Sequence, residues 1–356
     1  MASFYCFNPE TDLALAQNRD CYTPNKKIKE FRDRLALLPS LWGREEDYII
    51  IPDNPVIIPE NLPLFHLMQL KRMKPVRLKD LKELVGQLAE TGEDFLIEPW
   101  GWNKDFRKTM LKNGIPVSKL PSLVYLKKVR ELSHRRTSTL FFKEYGDFFP
   151  ACAAPIEITN LTDLRTLLTS GSDFCLKAPW SSSGRGVVFT TQQTQAKIME
   201  WVAGTIRSQG SVMVESLFDR TLDFASEWIS DNNGVHFCGL SLFKCSERGK
   251  YQGNYLLSQT EIESVIARAC DWNQEIIEKQ KEFLTHHIAP YYKGYVGIDM
   301  LAEGKTINPC VEINLRHTMG HVAIGITEEL IVGKSEAVKS SLSSLFPGRY
   351  FLPTQL

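Results

Sequence analysis

Over the first 125 residues, short apolar runs alternate with longer segments whose apolar positions recur every three or four residues. SFYCF, DYIIIP and DFLIEPW read as strands. NKKIKEFRDRLALLP is a charged amphipathic segment. RLKDLKELVGQLAET and NKDFRKTMLKNG read as helices, the second with Asn103 as N-cap and Gly114 as its stop. This alternation predicts a small parallel α/β domain spanning residues 1–125. Ligands of such sheets bind at the carboxyl ends of the strands, which brings the FNPETD segment near EPWGW. Asn8, Glu10, Asp12, Glu98 and Trp100 there read either as a mixed acidic and aromatic rim suited to an amine-bearing substrate, or as caps and packing aromatics.

IPVSKLPSLVY, with two prolines and little periodicity, reads as a link between domains. ELSHRRTSTLFFKEY follows as a helix capped by Ser133 and ended at Gly146, with Arg135 and Arg136 in its first turn. Cations there oppose the helix dipole, so either a phosphate partner or a solvated basic face has to account for them. IEI, DFCLKAPW, GVVFTT and SVMVESLF are strand-like, with the helix QTQAKIMEWVAGTIRS before the last. The loop SSSGRG between the second and third can fold its backbone N–H groups over phosphate oxygens, within reach of Lys177. It is not a Walker loop, and Gly333-Lys334-Ser335 lacks that motif's first glycine. Next, VMVESLF and DRTLDFASEWI read as one strand breaking into a second, with Glu215, Asp219 and Asp223 around the break. GVHFCGLSLFKCS reads as a long strand, ERGKYQGNY as a polar loop, and Glu261 to His287 as one long helix. HVAIGITEELIVG and SEAVKSSLSSLF close the chain as helices.

The most informative stretch is Gly294 to Gly320. YVGIDMLA and TINPCVEIN form a hairpin about the turn Glu303-Gly304-Lys305, so Asp299 of one strand lies beside Glu312 and Asn314 of the other. Two carboxylates and an amide suit a hard Mg2+ ion that keeps positions open for phosphate and water. A half-exposed hairpin with polar residues on its wet face is the plainer alternative.

Composition narrows the classes. The 356 residues are 43% hydrophobic, enough for two or three domains with cores of their own. Lys plus Arg equals Asp plus Glu at 42 each, so no global field steers the chain toward nucleic acid or an anionic membrane. The N-terminus lacks signal-peptide blocks and no run reaches the roughly 20 apolar residues of a span, so a cytoplasmic protein is expected. Eight scattered cysteines without a C-x-x-C pair read as reduced core thiols.

On these residues the chain resembles the ATP-grasp superfamily. Four landmarks come in order between Ser133 and Gly320: the basic residues of LSHRR, LKAPWSSSGRGV, the VESLF junction, and DML followed by VEINLR thirteen residues on. The resemblance implies an α+β ATP-grasp domain of two subdomains holding ATP between antiparallel sheets, with residues 126–215 as a lid subdomain and 216–356 as the metal-bearing one. It implies that Arg135 or Arg136, with Lys177, holds the ATP phosphates, although the family more often has Lys at the first position. Ser183, Gly184 and Gly186 would form the lid loop, and Glu215, Ser216 and Leu217 would line adenine. Asp223 would take the ribose, with Asp219 as its rival because the count after Glu215 is one longer than in D-alanine ligase-like chains. Asp299, Glu312 and Asn314 would bind magnesium, with manganese as an alternative ion. Arg316, with His317, would face the γ-phosphate and the substrate. The activity implied is an ADP-producing ligase joining a small carboxylate to an amine or thiol through an acyl phosphate, and a homodimer is one assembly it allows. A small-molecule kinase and a nucleotide-binding module without turnover are the rival readings.

Overall fold

The computed structural model describes residues 1–53, 65, 68–69, 71–182, 184–247, 249–332 and 350–351. The chain divides into two compact units, Met1–Lys128 with Gly325–Pro347, and Val129–Ile324 with Gly348–Leu356. Of the two closing helices read from the sequence, SEAVKSSLSSLF (335–346) lies outside the described residues, as does the Gly333-Lys334-Ser335 triplet.

In the first unit, β1 (Ala2–Cys6), β2 (Tyr48–Ile51), β3 (Lys74–Arg77) and β4 (Phe95–Pro99) form a parallel sheet in the order β3-β2-β1-β4. Helices α1 (Thr11–Gln17), α2 (Lys26–Arg34) and α3 (Leu81–Thr91) lie between these strands, and α4 (Lys104–Lys112) follows β4. Leu81, Val85 and Leu88 of α3, with Phe106 and Met110 of α4, share one helix face each and pack with Phe4, Tyr48 and Phe95. Asn25 and Asn103 cap α2 and α4 through their side chains. The strand β3 was not legible in KPVR. It sits at the sheet edge, where Pro75 has no ladder N–H to supply.

The last three residues of the predicted link begin helix α5 (Leu123–Leu132), started by Ser122 Oγ accepting from Tyr125 N at 3.1 Å. It breaks at Ser133-His134. Helix α6 (Arg136–Tyr145) begins after Arg135, and His134 Nδ1 accepts the Arg136 N–H at 2.9 Å. Ser133 is therefore not a cap, since its hydroxyl donates back to Val129 O.

Four strands, β5 (Ile156–Ile158), β6 (Phe174–Lys177), β7 (Val187–Phe189) and β8 (Val212–Ser216), make an antiparallel sheet in the order β5-β8-β6-β7. Helices α7 (Leu161–Leu168) and α8 (Gln195–Gln209) pack Leu164, Ile198 and Val202 onto Leu176, Val212 and Val214. The chain then enters a second sheet rather than continuing the first. Its strands are β9 (Leu222–Asp231), β10 (Gly234–Cys245), β11 (Tyr251–Tyr255), β12 (Gly294–Glu303), β13 (Thr306–Asn314) and β14 (Tyr350–Phe351), in the order β13-β12-β9-β10-β11-β14. The stretch expected to be a polar loop thus holds β11, whose Asn254 pairs with Phe243. The single long helix is two, α9 (Gln259–Ala269) and α10 (Glu275–Phe283). Between them, Asp271 N–H goes to Lys305 O and Asn273 Oδ1 takes the Glu275 N–H, so the backbone leaves the helical ladder. Helix α11 (Met319–Val332) follows the hairpin. No helix among the described residues is long and apolar enough to cross a membrane.

Candidate active site

One face of the six-stranded sheet gathers the polar residues. Asp299 on β12 is the register partner of both Glu312 on β13 and Ala225 on β9. Gly297, two residues earlier, partners Asn314 and Glu227 in the same way. Since side chains two apart on a strand share a face, Asp223, Glu227, Asp299, Glu312 and Asn314 project to one side. The amide of Asn314 hydrogen-bonds to Asp299. Burial, and next the Glu312 carboxylate, push Asp299 up to about 7, while Arg316 and Arg135 pull it down. Two carboxylates forced together away from water are unfavourable as anions unless a cation joins them. That donor set, two acids with an amide oxygen, fits a hard divalent ion. Among the described residues no group of three or more His, Cys, Asp or Glu is placed to hold a metal ion, this face included, so the fit here depends on the Asn314 amide.

Arg135 reaches this face from the start of α6. It is 4% exposed. Nη1 donates to Ala178 O and, at 2.8 Å, to Ser181 Oγ, while Nη2 donates to Glu312 Oε2 at 2.7 Å. Arg136 instead points outward, 3.2 Å from Glu157. The two basic residues that sequence alone left equivalent are thus in different surroundings. Lys177 ends β6, buried, with Nζ 2.5 Å from Glu215 Oε2 on the neighbouring strand β8. Glu215 Oε1 is buried without a hydrogen-bond partner among the described residues.

The glycine loop joins β6 to β7 as expected. Ser183 lies outside the described residues. Gly184 has φ of +73°, and a Cβ there would collide with Gly249 O in the turn between β10 and β11. Gly186 O accepts from Ala178 N at 2.7 Å, and a Cβ at Gly186 would lie 2.5 Å from Ser181 Oγ. At the β8 end, Ser216 is exposed and Leu217 N donates to Asp173 O. Asp223 is held at 3.4 Å from Arg220, and burial raises its pKa. Asp219 is exposed, and its N–H donates to Glu303.

Arg316 bridges Asn314 Oδ1 and His317 O at 2.9 Å each. His317 is buried, with its ring stacked on Tyr295 at 3.4 Å between centroids, and burial holds it neutral. Glu227 escaped the sequence reading. The available signal was a lone acid in the otherwise apolar strand FASEWI.

In the first unit the two predicted loops do meet. Asn8 Nδ2 donates to Gly101 O at 2.8 Å, and Trp100 N to Cys6 O at 2.7 Å. They do not form a rim. Asn8, Glu10 and Trp100 are buried, Glu10 accepts from Arg32 at 2.9 Å, and Trp100 packs edge-on against Phe7. Glu98 is half-buried and accepts from Ser3 Oγ, and Asp12 is half-buried in the first turn of α1. Asn8 and Trp100 thus sit as caps and packing aromatics do, the plainer of the two readings, while Glu10 keeps a buried Oε2 without a hydrogen-bond partner among the described residues.

No protein-family model matches the sequence, and no curated protein matches it. Solved structures do. The biotin carboxylase domain dimer of 2-oxoglutarate carboxylase from Hydrogenobacter thermophilus, crystallised with MgADP, ADP and bicarbonate, is similar at a TM-score of 0.52 and 14% identity, over 98% of this chain and 70% of that one. Biotin carboxylase from Campylobacter jejuni, in a βγ-ATP complex, is similar at a TM-score of 0.52 and 12% identity, over 99% and 72%. The chain, with a parallel α/β unit, an antiparallel four-stranded sheet and a six-stranded mixed sheet, shares the fold of these biotin carboxylases, the ATP-grasp fold.

Proposed function

We propose that this chain is an ATP-dependent ligase that joins a small carboxylate to an amine or thiol. The observation that carries the reading is the face on which Asp299 and Glu312 stand as register partners, with Asn314 beside them and Arg135 reaching Glu312 from α6. The fold shared with nucleotide-bound biotin carboxylases supports it. Magnesium held by Asp299, Glu312 and Asn314 would neutralise the triphosphate and polarise its γ-phosphoryl group.

The chain's own residues would then act as follows. Lys177 and Arg135 supply positive charge to the phosphates, a role in which Arg135 is favoured over Arg136 by its position. The Ser183-Gly184-Gly186 loop covers the phosphates with backbone N–H groups. Glu215, Ser216 and Leu217 line the base, and Asp223 takes the ribose hydroxyls. Arg316, tied to Asn314, faces the γ-phosphate and the substrate carboxylate. With the carboxylate oxygen in line, its bond to the γ-phosphorus forms as the β–γ bridging bond breaks, and ADP leaves. The nucleophile then adds to the acyl carbon, the C–O bond to phosphate breaks, and the amine or thiol proton passes to solvent.

The test is turnover of Mg-ATP against pooled carboxylates and amines. ADP and phosphate should appear only when both substrates are present, and hydroxylamine replacing the amine should yield a hydroxamate. AMP as product, or a stable phosphorylated alcohol, would rule the reading out, the second outcome in favour of a kinase.

A further inference from the structure

Glu227 is the acid of the sheet face that the reaction above does not use. Its side chain is 1% exposed. Oε1 accepts from Ser241 Oγ at 2.9 Å, and Oε2 accepts from Thr318 Oγ1 at 2.8 Å and lies 3.1 Å from His321 Nδ1. The backbone closes over it. A Cβ at Gly297 would lie 2.9 Å from Oε2, and one at Gly320 would collide with Oε1.

The hydrogen positions follow from the partners. His321 Nε2 is 3.2 Å from Trp228 O, which has no proton to give, so Nε2 carries the ring hydrogen. Nδ1 takes the Thr318 N–H at 3.3 Å and so presents a lone pair. Two lone pairs at 3.1 Å repel, and the contact between Nδ1 and Oε2 is attractive only if Oε2 bears a hydrogen. The groups facing this pair are Asp299 and Tyr295 from β12, and Arg316 and His317 from the segment after β13. From β10 the facing group is Ser241, which does not titrate. Burial above all pushes Glu227 up to about 8 and His321 down to about 3, so both favour the same assignment.

We propose that Glu227 is a positioning residue that works as a neutral carboxylic acid, donating its O–H to His321 and accepting from Thr318 so as to fix the segment from Arg316 to His321. Loss of that proton releases the segment. The inference rests on the ligase reading only where it makes Arg316 the residue being aimed. A carboxylate at this position would instead be a base for the incoming amine, and the two roles part in the variant Glu227→Gln, whose amide supplies the same donor without ionising.

Hydrogen exchange of the peptide covering 316–321 tests this without any substrate. In the native protein its protection should drop, beyond the intrinsic rate change, as pH rises past about 8, and in Glu227→Gln it should not. Stability follows the same sign. A carboxyl group whose folded pKa lies near 8 against 4.5 unfolded adds stability at low pH that is lost as pH rises through that window. The melting temperature of Glu227→Gln should therefore fall less between those limits, while the contribution of Asp299 is common to both proteins. In the ligase assay Glu227→Gln should stay within a few-fold of native kcat, and Glu227→Ala should fall far below it. Equal exchange and melting profiles in native and Gln proteins would overturn the proposal. So would a Gln variant that melts as expected but has lost turnover, because that pattern belongs to a base. A native protein without ligase activity but with the expected exchange difference would sink the ligase reading and leave the proton assignment standing.

Discussion

Arg135 Nη2 donates to Glu312 Oε2 at 2.7 Å across 177 residues of sequence. The same guanidinium holds Ala178 O and Ser181 Oγ, so one fork joins the start of the glycine loop to the carboxylate of the proposed metal set. Lysine, a point charge, cannot reproduce that fork. Arg135→Ala should cost about 3–5 kcal/mol in urea unfolding, the range for breaking a buried pair from one side. Arg135→Lys should recover only part of it. Arg136→Ala, which removes an exposed side chain with a half-buried partner, should stay within about 1 kcal/mol and leave the KM for ATP unchanged.

Asp299→Asn separates catalysis from stability. The folded pKa of Asp299, near 7, is above its usual 3.8, so its contribution to stability is full below 3.8 and is lost as pH rises through 7. Removing the charge should then leave the melting temperature at pH 8 equal to or above native. ADP release should nevertheless fall by roughly 10²–10³-fold, as when other charge-stabilising groups are lost. Wild-type turnover by this variant would mean that the metal set lies elsewhere.

Asp223 and Asp219 make a paired comparison. Asp223 shares the face of Asp299, whereas Asp219 is exposed beside Glu303. Asp223→Ala should raise the KM for ATP roughly tenfold, the loss of about one good hydrogen bond to a charged group. Asp219→Ala should not change it. Isothermal titration with ADP and with deoxyADP tells whether the lost contact is to the ribose.

Gly184→Ala places a methyl group against Gly249 O at a φ of +73°. The left-handed backbone adds about 1–2 kcal/mol of local strain, so the loop should detach from the β10–β11 turn. Trypsin should then cut after exposed Arg185 faster than in the native protein, with the melting temperature little changed. An unchanged digestion rate would mean that the loop tolerates the methyl group in place.

How far these features could be read from sequence depended on the range of their causes. The hairpin at Asp299 and Glu312 was legible because alternation, turn and chemistry are all local to it. The break at Ser133-His134 was not, since His134 acting as acceptor for Arg136 N–H is a side-chain substitution for a backbone bond that no periodicity records. The rim in the first unit was ambiguous for a different reason. Polar residues beyond a strand end look alike whether they face a ligand or hold the loop, and Asn8 does the latter through Gly101 O. Glu227 stayed hidden because its partners come from two distant segments, Ser241 from β10 and Thr318 with His321 from the stretch after β13.

The sheet order β5-β8-β6-β7 comes from one uninterrupted stretch, entered after α6 and left through residues 217–221. Helices α7 and α8 pack the apolar cluster over it. A stretch of about 60 residues is marginal as an independent folding unit, yet it can be exchanged for another of like ends without cutting a strand of the larger sheet. On the proposed function, the residues that would grip the nucleotide and those that would hold the ion thus lie largely on separable lengths of chain.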